Sequence, residues 1–331
     1  MTRLSILDLC PIVDGDDTRT ALHKTVELAK AAEQLGFARI WVSEHHNMAG
    51  TASAATAIII GQVAAATSTI KVGSGGVMLP NHSPYVIAEQ FGTLEAYYPG
   101  RIDLGLGRSP GTDMNTIMAL RRDPRGAERF ATDLQELQFF FQKAAPNQAV
   151  RAIPGENTSL PIWILGSSTS SAALAAAHGL AFVFASHVTP NGILEAARLY
   201  RERFRPSEHL SAPYFMPCVN AFAAETDEEA RYHFSSLQRG LVNFFRGSIG
   251  AVQRPVEDIE AIWRPEEKRM IEHMNTLSLV GSPATVEAKL RALIEATGAD
   301  EVMLSGNFHD REAKLRSMEI FSKLDLARAD A

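Results

Sequence analysis

Chemically able side chains gather just after short apolar runs. Trp41–Val42 is followed by Ser43–Glu44–His45–His46. Imidazole titrates near neutrality, so a histidine here suits proton exchange or hydrogen-bond donation. Neighbouring side chains on an extended segment point opposite ways, so both rings cannot easily face one metal. No third ligand of obvious spacing stands out, and the expectation is no metal. One histidine is read as the acid/base or donor, the other as packed or partly solvated; a structural role for both is the competing reading. Further on, Gly166–Ser167–Ser168–Thr169–Ser170–Ser171 runs into an Ala-rich stretch. Backbone N–H groups and hydroxyls at a helix start bind phosphate, although a plain serine cap would look the same. Arg108 ends another apolar run and could supply a bidentate countercharge.

Glycines mark two more run ends, Gly73–Ser74–Gly75–Gly76 and Gly105–Leu106–Gly107. Gly75–Gly76 allows close approach of a flat ligand, or is simply a loop start. Gly105, Gly107 and Gly111 do not make a dinucleotide fingerprint: the spacing is wrong, Pro110 interrupts it and no helix is expected to open there. Ser186–His187 and Ser305–Gly306–Asn307 close two other runs.

The elements that position these residues alternate along the chain. Strand-like runs are read at Leu4–Leu9, Ala38–Val42, Ile70–Val72, Arg101–Leu106, Pro161–Leu165, Leu180–Ala185, Phe215–Ala223 and Glu301–Leu304. Helical patterns lie between them: one around Leu22, Val26 and Ala29 ended by Gly36, then Ala52–Ala66, Ser83 to about Tyr98, Glu128–Gln142, Ser170–His178, Gly192–Phe204 and from Asp227. Ser83–Pro84 and Ser282–Pro283 carry cap-then-proline signals, Gly298 ends the helix that Ser282 opens, and Arg311–Leu324 is the last helix. Eight such units favour a closed (β/α)8 TIM barrel, which leaves no edge strand, over an open doubly wound sheet. Active sites of such barrels sit at the C-terminal strand ends, where the residues above fall. A polar, irregular segment, 236–280, separates the seventh and eighth strands. It reads as a lid or as an insertion packed on the barrel. No linker divides the chain, so 1–331 is read as one domain.

Composition is that of an ordinary soluble globular protein, 46% hydrophobic and 21% charged, with a net charge of −6. No Lys/Arg cluster points to nucleic acid. Two cysteines, Cys10 and Cys218, make no disulfide framework and fit a reducing cytoplasm. Met1–Cys10 is too short and polar for a signal peptide, and Ala52–Ala66 too short for a membrane span.

At these motifs the chain resembles the bacterial-luciferase-like monooxygenases. The matching stretches are Trp41–His46, Gly73–Pro80, Gly100–Arg108, Pro161–Ser168 and Val280–Pro283. They fall in the family's order and cover nearly the whole chain. The longer Glu-His-His-Asn-Met and Gly-Gly-Val-Met-Leu-Pro-Asn-His-Ser-Pro stretches resemble a bacterial subgroup of single-chain members. The resemblance implies a closed barrel, reduced FMN delivered by a separate NAD(P)H:flavin reductase, oxygen chemistry through a flavin C4a-peroxide, and a homodimer. His45 matches the catalytic histidine. Arg108, Ser167, Ser168 and Ser171, with Gly166, match the phosphate-binding set. Glu44, Ser74, Gly75, Gly76 and Gly107 join the flavin-binding group, and Gly75–Gly76 matches a position that often carries a cis peptide. The chain departs from luciferase at Ser167–Ser168, where a glutamate precedes a serine, and at Gly107, where a reactive cysteine stands. The default substrate is an aldehyde-like organic molecule. The alternatives are a deazaflavin-dependent hydride-transfer enzyme and a non-catalytic flavin-binding subunit.

Overall fold

The computed structural model describes residues 2–326. Met1 and 327–331, included in the expected domain, lie outside the described residues. In chain order the elements are β1 (Arg3–Asp8), α1 (Thr18–Gln34), β2 (Arg39–Val42), α2 (Thr56–Ala66), β3 (Lys71–Ser74), β4 (Val77–Met78), α3 (Pro84–Tyr97) and β5 (Ile102–Gly107). There follow α4 (Met114–Ala119), α5 (Phe130–Phe141), β6 (Ile162–Gly166), α6 (Thr169–Ala177), β7 (Ala181–Phe184), α7 (Ile193–Arg203) and β8 (Phe215–Ala223). The last are α8 (Asp227–Phe245), α9 (Pro265–Met274), β9 (Leu279–Gly281), α10 (Pro283–Thr297), β10 (Glu301–Ser305) and α11 (Arg311–Ser322).

Eight parallel strands run in the order β10-β1-β2-β3-β5-β6-β7-β8, and β8 pairs back onto β10 through Cys218↔Met303 and Asn220↔Ser305. The ring is closed, so the open-sheet alternative falls and the (β/α)8 barrel stands. Two short strands lie outside the eight. β4 continues β3 past a cis peptide at Gly75–Gly76 and pairs with β5, and β9 pairs with β8.

Helix ends follow local chemistry. Asp17 caps α1 by accepting the Thr20 N–H at 2.8 Å, and Gly298 ends α10 at φ 61°. Ser83 and Ser282 stand at the expected cap positions, yet neither side chain makes the capping hydrogen bond. The prolines that follow suit the first helical turn without it.

The barrel interior is layered. At its N-terminal end Arg39 donates to Glu301 at 2.7 Å and to Asp103 at 2.6 Å. Tyr214 and Trp41 complete this belt through Glu301 and Asp103. Above lies an apolar plug of Leu7, Trp41, Trp163, Val183, Met216, Cys218 and Met303. Trp41 and Trp163 meet edge to face at 5.2 Å. The larger core fills the space between sheet and helices.

Two expectations are corrected. A short helix, α4, does open after the Gly105–Gly111 stretch, because Asp113 caps it. The 236–280 segment is less irregular than its polarity implied, since α8 runs through to Phe245 and α9 and β9 follow. It packs on α8 through Val242, Trp263 and Ile271, and Arg246 pairs with Glu267 at 2.7 Å. It also reaches the mouth of the barrel, where Val252 exchanges backbone hydrogen bonds with Ile12 and Asp14.

Candidate active site

The C-terminal strand ends bring the sequence candidates to one mouth. β2 releases the chain into Ser43–Glu44–His45–His46. The His45 backbone is held by its N–H to Ser53 O, 2.9 Å. Burial pushes the His45 ring below the ordinary histidine range, against the opposing pull of the Gly111 backbone and the Glu44 charge. Burial thus favours the neutral imidazole, a form able to give one proton and take another.

His46 turns elsewhere, to Glu44, with 2.9 Å between Nε2 and Oε1. The two rings thus part company as the extended backbone requires. Glu44 is buried, and its carboxylate is committed to protein partners: His46, His82 at 2.8 Å, the Met78 N–H at 3.2 Å and Asn81 at 3.3 Å. Burial alone would raise its pKa, but the hydrogen bonds from His46 and His82 hold it down at about 2. The same contact raises His46. His82 is the third polar partner that sequence spacing did not offer. The donor atoms of Glu44, His46 and His82 lie within 4.8 Å of one another. Their contacts have hydrogen-bond lengths, so the cluster is satisfied as it stands.

That cluster also ties down the loop after β5. Asn81 donates to Pro110 O at 2.8 Å, Thr112 to His46 O at 3.1 Å, and Asn47 to Asp113 at 2.9 Å. Asn81, His82 and Asp113 were not singled out as site residues. Asn81 and His82 stood within the Gly-Gly-Val-Met-Leu-Pro-Asn-His-Ser-Pro stretch, which was the available signal; Asp113 had none.

The glycine floor lies between β3 and β5. A Cβ on Gly76 would meet Gly105 O at 2.9 Å, and one on Gly107 would meet Met78 Sδ at 2.7 Å. Backbone atoms close the space at Gly76, whereas at Gly107 the Met78 side chain would have to move. Ser74 is fully buried, and its hydroxyl donates to Gly105 O at 2.8 Å while accepting the Gly105 N–H at 2.9 Å. It stitches β3 to β5 and does not open to the mouth.

On the next strand, Ser168 caps α6: its Oγ accepts the Ser171 N–H at 3.3 Å and lies 2.8 Å from Ser170 Oγ and 3.2 Å from Ser171 Oγ. Ser167 is exposed beside them. Gly166 makes room for Ser171, whose Oγ a Cβ there would strike. The exposed Arg108 guanidinium reaches Ser170 Oγ at 3.4 Å and has no carboxylate partner among the described residues. The cap, its neighbouring hydroxyls and Arg108 thus gather at one helix start.

Comparison with known proteins gives the family. Residues 2–301 match the family described as luciferase-like monooxygenase. An Escherichia coli K12 protein named luciferase-like monooxygenase is 47% identical over 96% of this chain and 95% of its own. A Bacillus subtilis protein named N-acetyl-S-alkylcysteine monooxygenase is 40% identical over 72% of each. The crystal structure of apo-MsnO8 superposes with a TM-score of 0.85 at 32% identity, over 98% of each chain. The chain belongs to the luciferase-like monooxygenase family. It is an oxidoreductase of that family.

Proposed function

We propose that this enzyme binds FMN, takes it in reduced form from a separate NAD(P)H:flavin reductase, and uses O2 to oxidise a small, aldehyde-like organic substrate. One observation carries the reading: Arg108, which has no carboxylate partner among the described residues, stands over the serine-rich start of α6, one strand away from a glycine-lined floor. A phosphate needs the first feature and a flat ring the second. The residues fit FMN, with Arg108, Ser167, Ser168 and Ser171 toward its phosphate and Gly75, Gly76 and Gly107 under its ring.

Bound reduced flavin would supply the electrons that activate O2. This chain's own task is to orient the ring, exclude water and govern protons. His45 is the proton-handling group, its ring kept neutral by burial. Glu44 acts at one remove, fixing the loops on either side of His45. The segment beyond α8 serves as a lid over the β1 and β2 loops, supported by the Val252 hydrogen bonds to Ile12 and Asp14. Water shut out by such a cover cannot divert the oxidant to hydrogen peroxide.

The proposed assembly is a homodimer. Ile58 on α2 and Tyr97 on α3 are 70% and 75% exposed, an apolar surface that a second copy would cover. The proposed compartment is the cytoplasm, in keeping with two free, buried cysteines. Among the described residues no helix is long and apolar enough to cross a membrane.

The test is anaerobic titration with reduced FMN, followed by rapid mixing with O2 and absorbance detection. A transient absorbance distinct from reduced and oxidised flavin, shortened in His45→Ala, is the expected result. Binding without any such transient, or binding of reduced deazaflavin alone, would overturn the oxygenase reading in favour of hydride transfer or a carrier.

A further inference from the structure

Trp41, Trp163 and Tyr214 form an unbroken line of rings through the barrel. Trp41 is fully buried and lies along β3. Its Cβ and Cε3 stand 3.1 and 3.4 Å from where a Cβ on Gly75 would be, and its Nε1 2.8 Å from where one on Gly73 would be. One edge of the indole therefore lies directly beneath the glycine floor of the mouth. Its N–H points the other way, toward the N-terminal belt, and donates to Asp103 at 3.0 Å. Trp163 on β6 follows at 5.2 Å between ring centroids, and Tyr214 at a further 5.4 Å, both edge to face. Tyr214 immediately precedes β8, at the end of the barrel away from the mouth, and is partly exposed.

The three rings differ in what they can do with a proton. Trp163 Nε1 is buried and has no hydrogen-bond partner. The Arg39 guanidinium carbon lies 4.5 Å from the centroid of the same ring. A positive charge on Trp163 would find no base for its proton and would be repelled by the arginine, so it cannot settle there. Tyr214 is the opposite case. Its hydroxyl donates to Glu301 Oε2 at 2.7 Å, so a phenol that loses an electron can lose its proton along a bond already made. Edge-to-face packing accounts for the contacts between the rings. The order of the groups, a pass-through ring between one under the mouth and one with a proton acceptor, gives the line a direction.

We propose that Trp41, Trp163 and Tyr214 form a one-electron relay that carries oxidising equivalents from the mouth to the far end of the barrel. It goes beyond the proposed reaction and rests on the oxygen chemistry placed at the mouth. The oxidant is a peroxyl radical, formed when an organic radical captures O2 there. It takes one electron from Trp41 and, with a proton from water, becomes a hydroperoxide. Trp163 returns an electron to Trp41. Tyr214 gives an electron to Trp163 and its phenolic proton to Glu301, leaving a neutral phenoxyl radical. A soluble one-electron donor, a thiolate or ascorbate, reduces that radical, and Glu301 hands the proton back. The mouth is thereby spared and no bond of the chain is broken.

Pulse radiolysis with azide radical, an oxidant of indole rings, tests the relay without flavin. The chain has three tryptophans, so Trp263→Phe leaves Trp41 and Trp163 as its indoles. In that protein indole-radical absorbance is expected to decay into phenoxyl absorbance. Adding Tyr214→Phe is expected to abolish the phenoxyl growth and leave the indole radical to persist. Adding Trp163→Phe is expected to abolish the growth although Tyr214 remains, and either variant alone decides. Illumination of wild-type protein carrying oxidised FMN, read by electron paramagnetic resonance, is expected to give a tyrosyl signal that Tyr214→Phe removes. Peptide mass spectrometry after the same illumination is expected to find more oxidised Trp41 in Tyr214→Phe than in wild type. No phenoxyl growth in the Trp263→Phe protein, or growth that survives Tyr214→Phe or Trp163→Phe, would overturn the relay. If wild-type protein fails to quench FMN fluorescence, the flavin reading fails, while the radiolysis still decides for or against the relay.

Discussion

Each polar side chain at the mouth has either spent its hydrogen bonds on the protein or kept them free, and this separates supports from ligand groups. Glu44 and Ser74 have spent theirs; Arg108 reaches only Ser170 and has no carboxylate partner among the described residues. Arg108→Ala is therefore expected to weaken FMN binding by about one to two orders of magnitude, the value of a charged hydrogen bond, while leaving riboflavin affinity unchanged. Fluorescence quenching with the two flavins checks this, and equal losses for both would remove Arg108 from the phosphate site. The Glu44–His46 pair has a pH signature. Glu44 is lowered from 4.5 to about 2, so its contribution is present above the unfolded value and fades as pH falls toward 2. His46 is raised from 6.5, so its share is present below 6.5 and fades as pH climbs through the folded value. The stability gap between wild type and Glu44→Gln should thus be widest between about 4.5 and 6.5 and shrink on both sides. Urea denaturation across pH reads it directly. A gap independent of pH would mean that Glu44 matters by shape alone.

Among the elements, β2 carries both ends of the design. Its first residue, Arg39, anchors the N-terminal belt, and the loop after its last residue holds His45. Arg39→Met leaves Asp103 and Glu301 buried without their cation, which is expected to cost about 3–5 kcal/mol. Urea unfolding measures the loss, and a change below ~1 kcal/mol would show that water or repacking replaces the arginine. The belt lies at the opposite end of the barrel from the mouth, so FMN affinity of the folded variant should stay near the wild-type value. β3 and β5 make a different pair. Ser74 joins them and the glycines on both keep their backbones close. Gly107→Val places branched atoms against Met78, and flavin binding is expected to fall more than stability. A thermal melt run beside the quenching assay separates the two effects.

At the scale of the whole molecule, closure of the ring decides the site. Eight strand ends meet only because β8 pairs with β10, which brings the end of β7 across the barrel from the end of β2. Closure leaves the outer helices to handle association. Ile58→Glu on α2 is expected to turn a dimer into a monomer while the far-UV spectrum and FMN affinity stay the same, as read by light scattering coupled to size exclusion. A wild-type monomer would dismiss the proposed homodimer.

The amino-acid sequence by itself determined the alternation of strands and helices, and hence the barrel, because hydrophobic period, prolines and glycines act over a few residues. It also placed the Glu-His-His segment, the glycine pairs and the serine run at strand ends, since each lies next to the apolar run that delivers it. It misjudged 236–245, where the helix read from Asp227 continues to Phe245 because Leu241, Val242 and Phe245 pack against Trp263 and Ile271 of the following segment. It likewise passed over α4, whose start depends on a single capping aspartate. Only the tertiary structure decided which candidates are supports. Arg39 and Glu301 are 262 residues apart, and Glu44 and His82 are 38 apart. Such partners are chosen by where the chain returns, and no local pattern encodes that.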